Sequence, residues 1–514
     1  MPKSIKNPPV LHCGCASHMF GLAGMDPDRE LVGQLEQPQP GFVDRSFAVA
    51  SEHAQVSDEC THDLYKVIPS DRTLVLKNAT VLPMDGTPQR IRNIEIRDGI
   101  IIALKSLEET LPANAYIIDC TGKFILPGLA DIHTHPHFLN RLRIFAPLYN
   151  NSNPEDFLLP YDLLMFVYLA AGVTRIQIMD GSAEELAVRK AMQSGKFYGP
   201  EMRIASPIID ASSNAGLQAP WWFVNDGRGA REAAALVKQR GYDFAKPYSR
   251  LSAASVEALM SECDDLGIET MGHVSMLVGV EGAISFGQKG VAHMAELFLG
   301  EPVDKRADPV LRSARAQLIV ENDIWVQTTL VATKSMDWVL GNTEHNFPML
   351  DLMHPLTHAL YAENGSLRSH VLGNPMLVDL LTGLHEIDLE YARELAKAGA
   401  KLLPGTDAPL ANLVDGFSLH EEFRILVEQV GMRPLEVLTA ATATAAHYQG
   451  VSEQVGTITP GKRSDLVVVR EDPTVSIRSI SSIDTTVIGN VVLDKNSIEI
   501  GLQRVRDRYA SMPL

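Results

Sequence analysis

Between Arg72 and Leu126 the chain alternates apolar and polar positions in short runs, "TLVLKNATVL", "RNIEIRDGIIIAL" and "AYIIDCTGKFIL". The breaks between them carry Asn-Ala, Asp-Gly and Thr-Gly, so the pattern predicts short strands joined by tight turns. The same texture returns near the C-terminus in "GTITPGKRSDLVVVRED" and "DTTVIGNVVLDK". The region between reads differently. Buried-looking strands such as "GVTRIQIMDG" are followed by helical runs such as "SAEELAVRKAMQSG", and "YDFAKPYS" by "SAASVEALMSECDDLG". Further strands are read in "EMRIASPIID", "IETMGHVS", "GVAHMAE", "IWVQTTLV" and "AKLLPGTDAP". With "FILPGLADIHTHPHF" (124–138) eight such segments are counted. Strand and helix in alternation imply right-handed βαβ units and a parallel sheet. Eight units predict an α/β fold, a (β/α)8 TIM barrel, with a small β-sandwich domain built from both chain ends. An open doubly wound sheet is the alternative, but no glycine-rich dinucleotide loop follows the first strand.

The expected division is an irregular N-terminal extension over 1–70, with the sandwich over 71–127 and 447–500. The barrel then spans 128–446, and 501–514 form a C-terminal tail. A chain of 514 residues exceeds what one compact core usually serves. Its formal charge of −18 argues against nucleic acid or an anionic membrane as partner. No apolar run reaches the length needed to span a bilayer, and the N-terminus lacks the apolar segment of a signal peptide. Five cysteines form too sparse a set for a disulfide framework. Those features predict a cytoplasmic protein acting on a small molecule, with assembly into a homo-oligomer expected. His12, Cys13 and Cys15 form a possible metal clip, but sit one residue apart in an irregular tail, where chance explains them better.

In a barrel of this type reactive groups lie at the C-terminal strand ends. His133 and His135 stand there on the first strand, and alternation points both the same way. Paired neutral imidazoles suit a transition metal. Other strand ends carry Lys246, His273, His293 and Asp407. Each has an ordinary alternative, as a satisfied core histidine, a solvated lysine or a helix-capping aspartate. It is the repetition at equivalent places that favours a metal centre.

The stretches "LPGLADIHTHPH", "DFAKPYSRLSAASVEALMSECDDLGIETMGHV", and "GTDAP" followed by "SLHEEFRILVEQVGMRPLEVLTAATATAAHYQGVSEQVGTITPGKRSDLVVV" resemble the amidohydrolase superfamily. The likeness is to its imidazolonepropionase-like and prolidase-like branch, and it covers roughly residues 72–500. It implies a binuclear metal-dependent hydrolase that cleaves amide bonds with a metal-bridging hydroxide. His133 and His135 would bind the more buried ion, and His273 and His293 the second. A carboxylated Lys246 would bridge them, while Asp407 would touch the first metal and move the proton. Mixed nitrogen and oxygen ligation suits two divalent ions, with Zn²⁺ first. The expected substrates are peptide-like, an N-acyl amino acid or an X-Pro link. A cyclic amide hydrolase or a deaminase is the alternative within the class, and a non-catalytic barrel scaffold the alternative outside it.

Five further residues are candidates for substrate binding. His137 falls just outside the paired-histidine motif, at the edge of the pocket. Trp221 and Trp222 lie in the loop "ASSNAGLQAPWWFVNDG", where they would wall an apolar or ring-bearing substrate or pack against a neighbouring subunit. Tyr248 and Arg250 closely follow Lys246, and Arg250 would meet a substrate carboxylate or else lie on the surface. His354 and His358 stand four apart in "DLMHPLTHAL", but no glutamate completes a metalloprotease motif and Pro355 interrupts it. That segment is expected to be a lid-like excursion between the seventh and eighth strands.

Overall fold

A computed structural model describes residues 41–44, 61–139, 141–142, 153–211, 221–341 and 347–514. The candidate clip at His12, Cys13 and Cys15 and residues 212–220 of the tryptophan loop lie outside the described residues.

The eight segments of the alternating region pair in parallel, each with the next. Leu129–Thr134 pairs with Val173–Ile178, and that strand with Glu201–Ile204. A parallel bridge from Ala205 to Phe244 continues to Phe244–Ala245 and Glu269–Thr270. A second bridge, Gly272 to Val291, leads to Gly290–Val291, Trp325–Gln327 and Lys401–Leu403. The eighth segment then returns to the first through a bridge between Thr134 and Ala408, and His135 N donates to Ala408 O at 2.6 Å. The result is a TIM-barrel-like α/β arrangement. Ala130, Ile132, Met179, Ala205, Phe244, Met271, Ala292 and Leu403, from seven of these strands or their ends, form one small apolar cluster. Residues from so many successive strands can touch only inside the ring.

The helices between strands start and stop where the sequence marks them. Gly227–Arg240 begins at Asp226, whose side chain accepts from Gly229 N, and ends at Gly241 in the left-handed region. Ala253–Leu266 likewise runs from a Ser252 cap to Gly267. A polar oxygen at the start and glycine at the stop satisfy terminal backbone groups that the helix cannot.

Both chain ends meet in one nine-stranded sheet, in which Phe124–Pro127 lies antiparallel to Leu466–Val469. The ends themselves differ from expectation. Within the span read as an irregular extension, Lys66–Val67 pairs with Val491–Val492, and Phe42–Asp44 pairs with Trp222–Val224. The span read as a tail belongs mostly to the helix Lys495–Ala510, capped by Asp494. Its buried stripe of Ile498, Leu502, Val505 and Tyr509 keeps helical spacing. Gly501 sits where a Cβ would lie 2.1 Å from the Phe166 ring, so the close approach requires glycine. No helix among the described residues is long and apolar enough to cross a membrane.

Candidate metal centre

The strand ends converge on one buried cluster. His133 Nε2 lies 3.3 Å from His135 Nε2, and Asp407 Oδ1 lies 3.3 and 3.1 Å from those two nitrogens. The ring of His293 is 4.3 Å from that of His133, and the ring of His273 is 5.0 Å from that of His293. Lys246 is fully buried, and its charge bears on both His133 and His293. The approach of the eighth strand depends on Gly405, where a Cβ would stand 2.6 Å from His133 Cβ. Asp407 and His293 hold positive φ values of 57° and 66°, backbone strain of a kind that clusters at functional sites.

Hydrogen bonds orient the rings. Gln327 Oε1 accepts from His133 Nδ1 at 2.8 Å, while Gln327 Nε2 donates to Ile132 O at 2.6 Å. The Glu296 carboxylate accepts from His273 Nδ1 at 2.9 Å, with Ser249 Oγ 3.1 Å from the same nitrogen. Thr329 Oγ1 lies 2.8 Å from His293 Nδ1. Asp131 supports the first strand by accepting from Thr406 Oγ1 at 2.7 Å and from His133 N at 3.2 Å. Arg141 donates to His135 Nδ1 at 2.9 Å and to Asp180 O at 3.0 Å. None of Gln327, Glu296, Asp131, Thr406 or Arg141 was expected from sequence, although Gln327 ends the seventh strand, a place equivalent to the other candidates.

Burial lowers the basicity of His133 well below the ordinary histidine range, with the Lys246 charge second. His135 is lowered by burial and then by Arg141, and His293 by burial and then by His133. These rings therefore stay neutral, the form that binds metals. Two neutral imidazoles and a carboxylate, with ligand atoms within 4.8 Å of one another, fit a divalent cation.

The profile of the amidohydrolase family matches residues 124–493. The chain belongs to the amidohydrolase family. It is a hydrolase of carbon–nitrogen amide bonds, and members of this superfamily use divalent metals. An imidazolonepropionase of Porphyromonas gingivalis is 22% identical over 408 residues, 73% of this chain and 82% of its own length. One from a Geobacillus species is 24% identical over 413 residues, 73% of this chain and 83% of its own. Among solved structures, a Xaa-Pro dipeptidase with bound methionine in the active site matches at TM-score 0.63 and 19% identity. That match covers 82% of this chain and all of the dipeptidase. Bottromycin amidohydrolase matches at TM-score 0.62 and 21% identity, covering 87% of this chain and 92% of its own. Both structural likenesses speak to the fold.

The expected substrate residues of this amidohydrolase divide. Tyr248 packs its ring 4.0 Å from that of His273, and Trp221 packs 5.2 Å from Tyr248, so both adjoin the cluster. Trp222 does not. It opens the strand Trp222–Val224 and is buried against Phe42 and Tyr242. Arg250 has a partner within the chain. Its Nε and Nη2 each lie 3.0 Å from Asp210 Oδ2 and its backbone N donates to Asp210 Oδ1, so the guanidinium is committed to a carboxylate of the chain itself. His137 is buried beside the cluster, 2.8 Å from Thr357 Oγ1 and stacked 4.2 Å from the His354 ring. Among the described residues His354 joins no group of metal-ligating side chains. It caps its own helix through Leu356 N and donates to Phe157 O at 2.8 Å.

Proposed function

We propose that this chain is a binuclear metal-dependent amidohydrolase of peptide-like amides, either N-acyl amino acids or X-Pro links. The carrying observation is the buried His133–His135–Asp407 donor set at adjoining strand ends. In this reading His133, His135 and Asp407 hold one ion, and His273 and His293 hold the second. Lys246 would serve them as a carbamate ligand, and Zn²⁺ suits the mixed donors best. Its amine reacts with carbon dioxide only when neutral, releasing a proton and leaving a carbamate whose single negative charge is shared by two oxygens. When bound, the ions supply Lewis acidity at the scissile carbonyl and lower the pKa of water towards ~7. Asp407 takes up the proton given up in the attack and returns it to the leaving amine, so one residue acts as base and then acid. A substrate carboxylate would meet Arg141, whose Nε makes no hydrogen bond among the described residues. The reading also takes the parallel ring as a closed (β/α)8 barrel and the nine-stranded sheet as its β-sandwich. A cyclic amide is the second reading, favoured by the length of the match to imidazolonepropionases.

Metal content and turnover test it together. The purified chain should carry two ions and hydrolyse members of an N-acyl amino acid and X-Pro panel. Lys246→Ala should retain about one ion and lose nearly all turnover. Two ions and parental activity in Lys246→Ala would overturn the assignment of the lysine. An active parent with a single ion would overturn the binuclear site.

A further inference from the structure

A narrow cleft opens beside the metal cluster, with His135 and Pro409 on one side. Its other wall comes from an unexpected part of the chain. One helix suffices to connect two parallel strands, and Leu384–Ala398 directly precedes the eighth. The seventh-to-eighth connection nevertheless adds the short helices Pro355–Tyr361, Ser366–Leu372 and Pro375–Leu381. Leu356, Leu360, Tyr361 and Leu367 from the first two of these line the cleft, and all four are buried.

The wall is held in place from several sides. Asp351 pairs with Arg506 of the C-terminal helix at 2.5 Å, and His354 donates to Phe157 O. Thr357 is tied to His137, so its hydroxyl turns towards the cluster and leaves the leucines to face the space. The turn between the first two helices is closed by Gly365, where a Cβ would stand 2.2 Å from Leu360 O. Only glycine lets that turn bring Leu367 back beside Leu360. Polar groups of the cleft, His137 and Arg141, lie towards the metal side, and Arg141 Nε makes no hydrogen bond among the described residues. The result is a pocket polar at the reacting end and apolar beyond it, the usual form of a site that grips one end of a small molecule.

We propose that this added connection is the specificity wall of the enzyme, and that it selects amides carrying an apolar group next to the scissile bond. The proposal rests on the hydrolase reading above, and the experiment separates the two. With metal-loaded protein, N-acetyl-L-leucine and N-acetyl-L-phenylalanine are compared with N-acetylglycine, and leucyl-proline with glycyl-proline. The two sets distinguish an amine-side from an acyl-side group. Apolar pockets discriminate by ~10–200-fold, so kcat/KM for at least one set should favour the larger member by that order. In Leu367→Ala, and in Leu360→Asn if it folds, that ratio should fall towards unity. Calorimetric binding of L-leucine and glycine, as product-type ligands, reads the cleft without turnover. Tighter leucine binding with no hydrolysis of any amide would sink the hydrolase reading and keep the pocket. Hydrolysis with equal rates in both sets, or equal binding of leucine and glycine, would overturn the pocket.

Discussion

Gln327 offers the sharpest test of how the cluster is organised. Its amide orientation follows from its partners: only the NH₂ can face Ile132 O, so the carbonyl faces His133 Nδ1. That places the ring proton on Nδ1 and the lone pair on Nε2, towards Asp407. Replacing Gln327 by leucine keeps the volume and removes both bonds. A buried donor or acceptor left unsatisfied costs about 1–3 kcal/mol, so loss of stability of that order is expected for each of the two groups. The second effect is on metal affinity, because a ligand whose supporting hydrogen bond is lost typically binds 10–100-fold more weakly, by about that ratio. Gln327→Glu separates the two. Its carboxylate still accepts from Nδ1–H but gives nothing to Ile132 O, so it should lose stability and largely retain affinity. Thermal unfolding and titration against a competing chelator measure both quantities. Parental metal affinity in Gln327→Leu would refute the tautomer argument, and so would equal loss of affinity in the two variants.

Asp407→Asn keeps shape but removes the base, and kcat should fall by ~10²–10⁴-fold with the circular dichroism spectrum unchanged. Near-parental kcat would place the proton transfer elsewhere. Burial pushes the Glu422 carboxyl up to about 7, although it accepts from Val331 N at 2.7 Å and from Thr328 Oγ1. A raised folded value means that stability present at low pH is lost as pH rises from the ordinary carboxyl range through about 7, by roughly 3 kcal/mol. Glu422→Gln should flatten that decline in denaturant unfolding, and an unchanged slope would exclude Glu422 as its source.

The strand-end histidines were legible in sequence because their side chains announce a chemistry wherever they stand. Gln327, Thr406 and Asp131 occupy comparable places but carry no such signal. An amide or hydroxyl becomes functional only through its partner, and Thr406 lies far along the chain from Asp131. The partner of Arg250 was illegible for the same reason, since Asp210 reaches it only when neighbouring strand ends are brought together. The two tryptophans are a different lesson. Taken as loop residues they could act together; Trp222 instead opens a strand and packs on Phe42 and Tyr242, while Trp221 packs on Tyr248. The C-terminal helix was readable, as Ile498, Leu502, Val505 and Tyr509 repeat at steps of four and three. The two-residue strand Lys66–Val67 was not, because nothing so short carries a period and its partner lies at the other end of the chain.

One contact ties the metal cluster to the cleft. A guanidinium only donates, so Arg141 requires the lone pair of His135 Nδ1 and sends the ring proton to Nε2. His133 has the opposite arrangement, with Gln327 Oε1 drawing its proton to Nδ1. The two histidines therefore face each other as donor and acceptor. The His135 Nε2 proton lies between His133 Nε2 at 3.3 Å and Asp407 Oδ1 at 3.1 Å. A proton occupies the place that a cation needs. A cation held by His135 Nε2 would need that lone pair free, and a ring carrying its hydrogen on Nδ1 could not accept from Arg141. The arginine already has a second anchor, with Asp180 O at 3.0 Å and Asp180 Oδ2 at 3.6 Å. Loading the centre would therefore release one N–H of Arg141 Nη2, which keeps its bond to Asp180 O, at the edge of the substrate cleft.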